Sequence, residues 1–108
     1  MVNVVWTKQA LAWLKEVHDY IKEDNPIAAK RTVKNIKLKT QVIKSHPDSG
    51  YYHEHEFGSQ YQVRILLYGH YRIAYLMNTK ETAYIIGVFH GSLSLDRHFT
   101  IPFDEVDS

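Results

Sequence analysis

The sequence predicts an α+β fold: an N-terminal strand, a helical hairpin, then a three- to four-stranded antiparallel meander. Three observations carry that expectation. From Leu11 to Ile43 apolar residues recur at three- and four-residue spacing, the period of a helix face. From Tyr51 onward the period shortens to two, the alternation of a strand. Short turn-forming stretches separate the later runs, so successive strands return as hairpins, and the helical pair covers one face of the sheet they make.

Taken in order, Val2 to Trp6 is β-branched and aromatic and reads as the first strand. Thr7 is placed to cap the helix that follows, because its hydroxyl can accept from an orphan N–H of the first turn. Leu11, Leu14, Val17 and Ile21 then form one stripe, and the helix is expected to stop near Glu23 and Asp24. Asn25 and Pro26 start a second helix as cap and first residue, where proline's missing N–H costs nothing. This helix is expected to run to about Ser45, with Ala29, Val33, Ile36, Thr40 and Ile43 facing inward. So short a link makes the pair antiparallel.

His46 to Gly50 is dense in turn formers. Tyr51 to Phe57 reads as a weak, polar strand at an edge. Tyr61 to Tyr68 is stronger, with Val63, Ile65 and Leu67 on one side and Arg64, Leu66 and Tyr68 on the other. Gly69-His70 turns the chain into Tyr71 to Met77, and Asn78 to Lys80 turns it again into Thr82 to Phe89. Residues 1–98 are read as a single domain and 99–108 as an acidic C-terminal tail, on account of Asp104, Glu105 and Asp107.

With 108 residues, 44% of them apolar and 23% charged, the composition is that of one globular domain. No apolar run approaches the roughly 18 residues of a membrane span, so no membrane association is expected. The absence of cysteine excludes disulfides and thiolate metal sites and points to the cytoplasm. The net charge of +1 conceals an asymmetry. Between Asp24 and Asp48 there is no carboxylate, whereas Lys30, Arg31, Lys34, Lys37, Lys39 and Lys44 all fall there. Lys30, Lys34, Lys37 and Lys44 line one outer stripe of the second helix, a candidate surface for nucleic acid or for an acidic protein partner.

Several pieces together carry a family likeness. Trp6-Thr7, the run Asp19-Tyr20-Ile21 through Asn25-Pro26-Ile27-Ala28-Ala29, the hairpin Gly69-His70-Tyr71-Arg72-Ile73-Ala74-Tyr75 and the ending Val88-Phe89-His90-Gly91 resemble the RelE/ParE toxin superfamily. The order and spacing match over about residues 2–92, and the Asp-Asn-Pro link between the helices is closer to ParE than to RelE. The resemblance implies the toxin of a bacterial type II toxin–antitoxin system, with growth inhibition and plasmid stabilization as its roles and a cognate antitoxin as its partner. ParE-like members are described as poisons of DNA gyrase, whereas RelE-like members cleave mRNA in the ribosome. It also leaves room for a degenerate member that binds antitoxin without being toxic. A homodimer is compatible with each reading.

Under the ribonuclease alternative the resemblance assigns catalysis to Arg64, Arg72 and His90. Cleavage through a 2′-hydroxyl needs a proton acceptor, cations on the phosphorane-like transition state and an acid for the leaving oxygen. Paired guanidinium groups would clamp the phosphate, and His90 would move the proton. The expectation is nevertheless a binding protein rather than an enzyme, because the stretch from Asp48 to Gln62 has His53, Glu54, His55 and Glu56 where the nucleases place lysines. Antitoxin or target binding is assigned to Lys30, Lys34, Lys37, Lys44 and Trp13, the last because it sits partly off the apolar stripe. His53 and His55 alternate to one side of a strand but have no third ligand at a suitable spacing, so neither a metal site nor any cofactor is expected.

Overall fold

The computed structural model describes residues 1–53, 62–91 and 100–106. Its elements are β1 (Asn3–Trp6), α1 (Lys8–Lys22), α2 (Pro26–Lys39), α3 (Val42–Ser45), β2 (Tyr51–His53), β3 (Val63–Tyr68), β4 (Tyr71–Met77), β5 (Thr82–His90) and α4 (Phe103–Val106). The five strands form one sheet in the order β1-β5-β4-β3-β2. The pairs β2–β3, β3–β4 and β4–β5 are antiparallel, and β1 lies parallel to β5. The architecture is therefore the expected α+β arrangement.

The local signals act as expected. The amide of Ala10 donates to the Thr7 hydroxyl at 3.1 Å, and that hydroxyl donates to the carbonyl of Ile85 at 2.7 Å, tying the start of α1 to β5. Asn25 accepts from the amide of Ala28 at 3.0 Å, with Pro26 in the first turn of α2. Gly69 adopts φ +55°, a region that a side chain strains, and lets β3 reverse into β4.

One helix is shorter than expected. Rather than continuing to Ser45, α2 ends at Lys39, and α3 is a separate turn. The cause is Thr40, which is fully buried and directs its hydroxyl back to the carbonyl of Lys37 at 2.7 Å. Such back-bonding competes with the helical ladder and bends it. The bend brings α3 against β1, where the amide of Val2 donates to the carbonyl of Lys44 at 3.1 Å. Of the weak strand expected from Tyr51 to Phe57, Tyr51–His53 forms β2; residues 54–57 and Tyr61 lie outside the described residues.

Both faces of the sheet carry apolar clusters. On the helix side, Leu66, Ile73, Tyr75, Ala83, Ile85 and Val88 pack with Ala10, Leu14, Ile36 and Ile43. On the far side, Val63, Ile65, Ala74, Leu76, Ile86 and Phe89 pack with Ile101 and Val106. The periodicity of α1 is only partly realised, since Leu14 is buried but Leu11 remains exposed.

Residues 100–106 also cap α1. The Glu105 carboxylate accepts from the amides of Lys8 at 2.6 Å and Gln9 at 3.3 Å. Together with Thr7 it satisfies the first three amides of the helix, and its charge complements the positive end of the helix dipole. The Gln9 side-chain amide then bridges the carbonyls of Ile86 and Thr100.

The loop before β2 is fixed by Tyr75. Its buried hydroxyl donates to the carbonyl of Pro47 at 2.8 Å and accepts from the amide of Gly50 at 3.0 Å. A Cβ at Gly50 would sit 2.8 Å from the Tyr75 ring and 2.9 Å from the carbonyl oxygen of Ile65, so only glycine passes there.

Candidate functional site

Three surfaces contain most of the residues singled out from the sequence. The first is the end of β4 and β5 nearest the Gly69 turn. Tyr71 pairs with His90 and Arg72 with Phe89. The His90 ring meets Tyr71 edge-on at 5.6 Å and stacks on His70 at 6.1 Å between centroids. Leu67, His70, Tyr71, Arg72, His90 and Gly91 line a cleft of about 390 Å³ there. The structure thus brings Arg72 and His90 to one cleft and adds His70 and Tyr71, which the sequence pattern did not single out. The Tyr-Arg of the return strand and the His preceding it are legible as chain neighbours, but their convergence on His90 needs the β4–β5 register.

Arg64 does not join this group. It stands opposite Tyr75, whereas Arg72 stands opposite Leu67. Because successive residues alternate between faces, Arg64 projects with Tyr75 to the helix side and Arg72 with Leu67 to the far side. Each guanidinium already has backbone partners. Arg64 donates to the carbonyls of Gly50 at 2.8 Å and Asp48 at 3.3 Å, and Arg72 donates to the carbonyl of Gly91 at 2.6 Å. The two therefore do not form a paired phosphate clamp. Arg72 binds a carbonyl rather than a carboxylate, so it holds the strand end in place without neutralising its charge.

The second surface is a groove between α1 and the same strand ends. Trp13, Glu16, Val17 and Tyr20 line one wall, and Tyr71, Val88 and His90 the other, around about 460 Å³. Trp13 is half-buried, with its ring 4.7 Å from that of Phe89. Burial pushes the Tyr71 phenol above its ordinary value, helped by the neighbouring Tyr20. On the solvent side of α1, Lys15 meets Asp19 at 2.7 Å, and this contact, then His18, holds the Asp19 carboxyl below its ordinary value.

The third surface is the basic stripe. Lys30, Lys34 and Lys37 are exposed on α2, and Lys44 is half-exposed on α3. None of the four meets a carboxylate among the described residues. The bend at Thr40 sets Lys44 off from the other three, which lie along one helix. His53 lies on β2 and His55 outside the described residues. Among the described residues no group of three potential metal ligands occurs, and no helix is long and apolar enough to cross a membrane.

Comparison with known proteins bears on the fold and the family. The chain is 38% identical over 50 residues to the toxin RelE2 of Caulobacter vibrioides, a match covering 46% of this chain and 57% of that relative's length. Its fold superposes with a TM-score of 0.68 on a chain of a chromosomal ParDE toxin–antitoxin system from P. aeruginosa, at 18% identity over 83% of this chain and 96% of the other. The family model for the ParE toxin of type II toxin–antitoxin systems matches residues 4–94, from β1 through the strand ends that carry His90. The chain belongs to the ParE toxin family.

Proposed function

We propose that this chain is a cytoplasmic toxin that acts by inhibitory binding to a macromolecular target, with DNA gyrase as the target its family suggests, and that a cognate antitoxin neutralises it. The observation that carries this reading is the separation of Arg64 and Arg72 onto opposite faces of the sheet. Phosphoryl transfer without a metal depends on converging cations, and in this chain each guanidinium holds a backbone carbonyl instead. Fold alone cannot separate the activities of the superfamily, so these side chains have to.

A second reading has one observation in its favour. Arg72, His70 and His90 all line the cleft at the end of β4 and β5, although the register sets Arg72 opposite Phe89 and His90 opposite Tyr71, so the guanidinium and the imidazole leave the sheet on different faces. A non-toxic member would keep the grooves and lose the target.

The antitoxin is expected to cover the α1 groove, engaging Trp13, and to present acidic side chains to Lys30, Lys34, Lys37 and Lys44. Co-expression with the product of the neighbouring gene, followed by pull-down and measurement of association at several salt concentrations, tests both points. The neighbour is expected to relieve toxicity and co-purify. Replacing the four lysines together with glutamine should slow association and flatten its salt dependence while leaving the fold intact. Equal lethality with and without the neighbour would sink the pairing. An unchanged salt dependence would assign the stripe to solvation.

A further inference from the structure

The groove beside α1 is more than apolar. Trp13, Glu16, Val17 and Tyr20 stand at i, i+3, i+4 and i+7, one stripe of the helix, so two rings and a carboxylate share a wall. Tyr71 supplies a third ring from β4, close enough to Tyr20 for the two phenols to influence each other. Tyr20 is 77% exposed and therefore free to close over whatever enters. Glu16 forms no ion pair or hydrogen bond among the described residues, and its neighbour Lys15 is taken by Asp19.

We propose that this groove is a cation-binding cage that receives one arginine side chain of the protein partner, between the rings of Trp13, Tyr20 and Tyr71 and against the Glu16 carboxylate. The aromatic faces present negative potential to a cation, and indole does so most strongly. A planar guanidinium stacks on such a ring while its N–H groups reach a carboxylate, which a compact ammonium does less well. The unbalanced charge of Glu16 is what commits the groove to a cation rather than to an apolar anchor. The proposal rests on the reading that a partner covers this groove. It gives that partner a mixed character: acidic where it meets α2 and carrying one arginine where it meets α1.

The test uses the whole chain and three blocked tripeptides, acetyl-Ala-Arg-Ala-amide and its citrulline and leucine counterparts, followed by NMR shifts of the Trp13 indole and Tyr71 ring. The arginine peptide is expected to bind about tenfold more tightly than the citrulline peptide, the scale of a partly desolvated cation–π contact with a charged acceptor. Glu16→Gln and Tyr20→Leu, both at exposed positions, should each remove most of that preference without disturbing the remaining spectrum. Equal binding of the citrulline or leucine peptide, or no shift of Trp13 with any of them at millimolar concentration, would overturn the cage. A separate arm measures capture of the neighbouring gene's product by the Glu16→Gln chain. Weakened capture supports the assignment, and unchanged capture rejects the cage as a partner subsite even if the peptides discriminate. Failure of the wild-type chain to capture that product would reject the partner reading instead, with the peptide arm still deciding the chemistry of the groove.

Discussion

Tyr75→Ala is expected to lower the stability of the domain by about 3–5 kcal/mol, the scale of deleting a buried aromatic side chain. Tyr75 is fully buried at the centre of the sheet and packs in the helix-side cluster. Against a total of about 5–15 kcal/mol for a domain of this size, the loss leaves a marginally folded chain. Tyr75→Phe isolates the hydroxyl. It removes one group that both donates to Pro47 and accepts from Gly50, leaving a carbonyl and an amide without that partner. The expected cost is about 1–3 kcal/mol, the penalty of stranding buried polar groups. Urea unfolding of the three chains, with the slope unchanged, measures both values. A Tyr75→Phe cost near zero would mean that Arg64, which holds Gly50 and Asp48 by their carbonyls, fixes the loop unaided.

His90→Gln separates inhibitor from nuclease by the largest functional margin. If His90 moved a proton in RNA cleavage, its removal would cost about 10²–10⁴-fold in rate, the usual size of a general acid–base contribution. For an inhibitor that acts by binding, toxicity is expected to remain nearly unchanged, with no cleaved transcripts at any dose. His90 is exposed at the last position of β5, and the core beneath it is made by Val88 and Phe89, so the fold should survive. Arg72→Lys is the companion variant. It keeps the charge and loses the planar donor that reaches Gly91, so under the nuclease reading it should also lower cleavage. Toxicity assays paired with transcript mapping in the two variants decide the matter.

What can be read from the sequence is local. Thr7, Asn25 and Pro26 announce helix starts because a cap acts within three or four residues, and Gly69 announces its turn because few other residues adopt its φ. Thr40 faces inward as its spacing indicates, but its hydroxyl ends the helix, and nothing in the apolar period distinguishes those two roles. The covering of the far face by Ile101 and Val106, and the capping of α1 by Glu105, join residues far apart in the chain and leave no periodic trace. The site shows the same division. Trp13, Glu16 and Tyr20 share a helix stripe that spacing alone reveals, whereas Tyr71 and His90 reach them only through the fold. Arg64 and Arg72 look like partners in sequence because they stand on successive strands of one hairpin. Only the β3–β4 register, which pairs Arg64 with Tyr75 and Arg72 with Leu67, places them on opposite faces.

Whether this ParE-family chain inhibits by binding, without cutting RNA, is tested most directly by the order of events after its induction in cells. DNA integrity and division are followed alongside the length of ribosome-bound mRNA. Inhibitory binding predicts that DNA damage and a block in division come first, while transcripts stay whole and the neighbouring gene's product reverses both effects. Ribosome-bound mRNA cut before any DNA lesion, by the wild-type chain and not by His90→Gln, would contradict it.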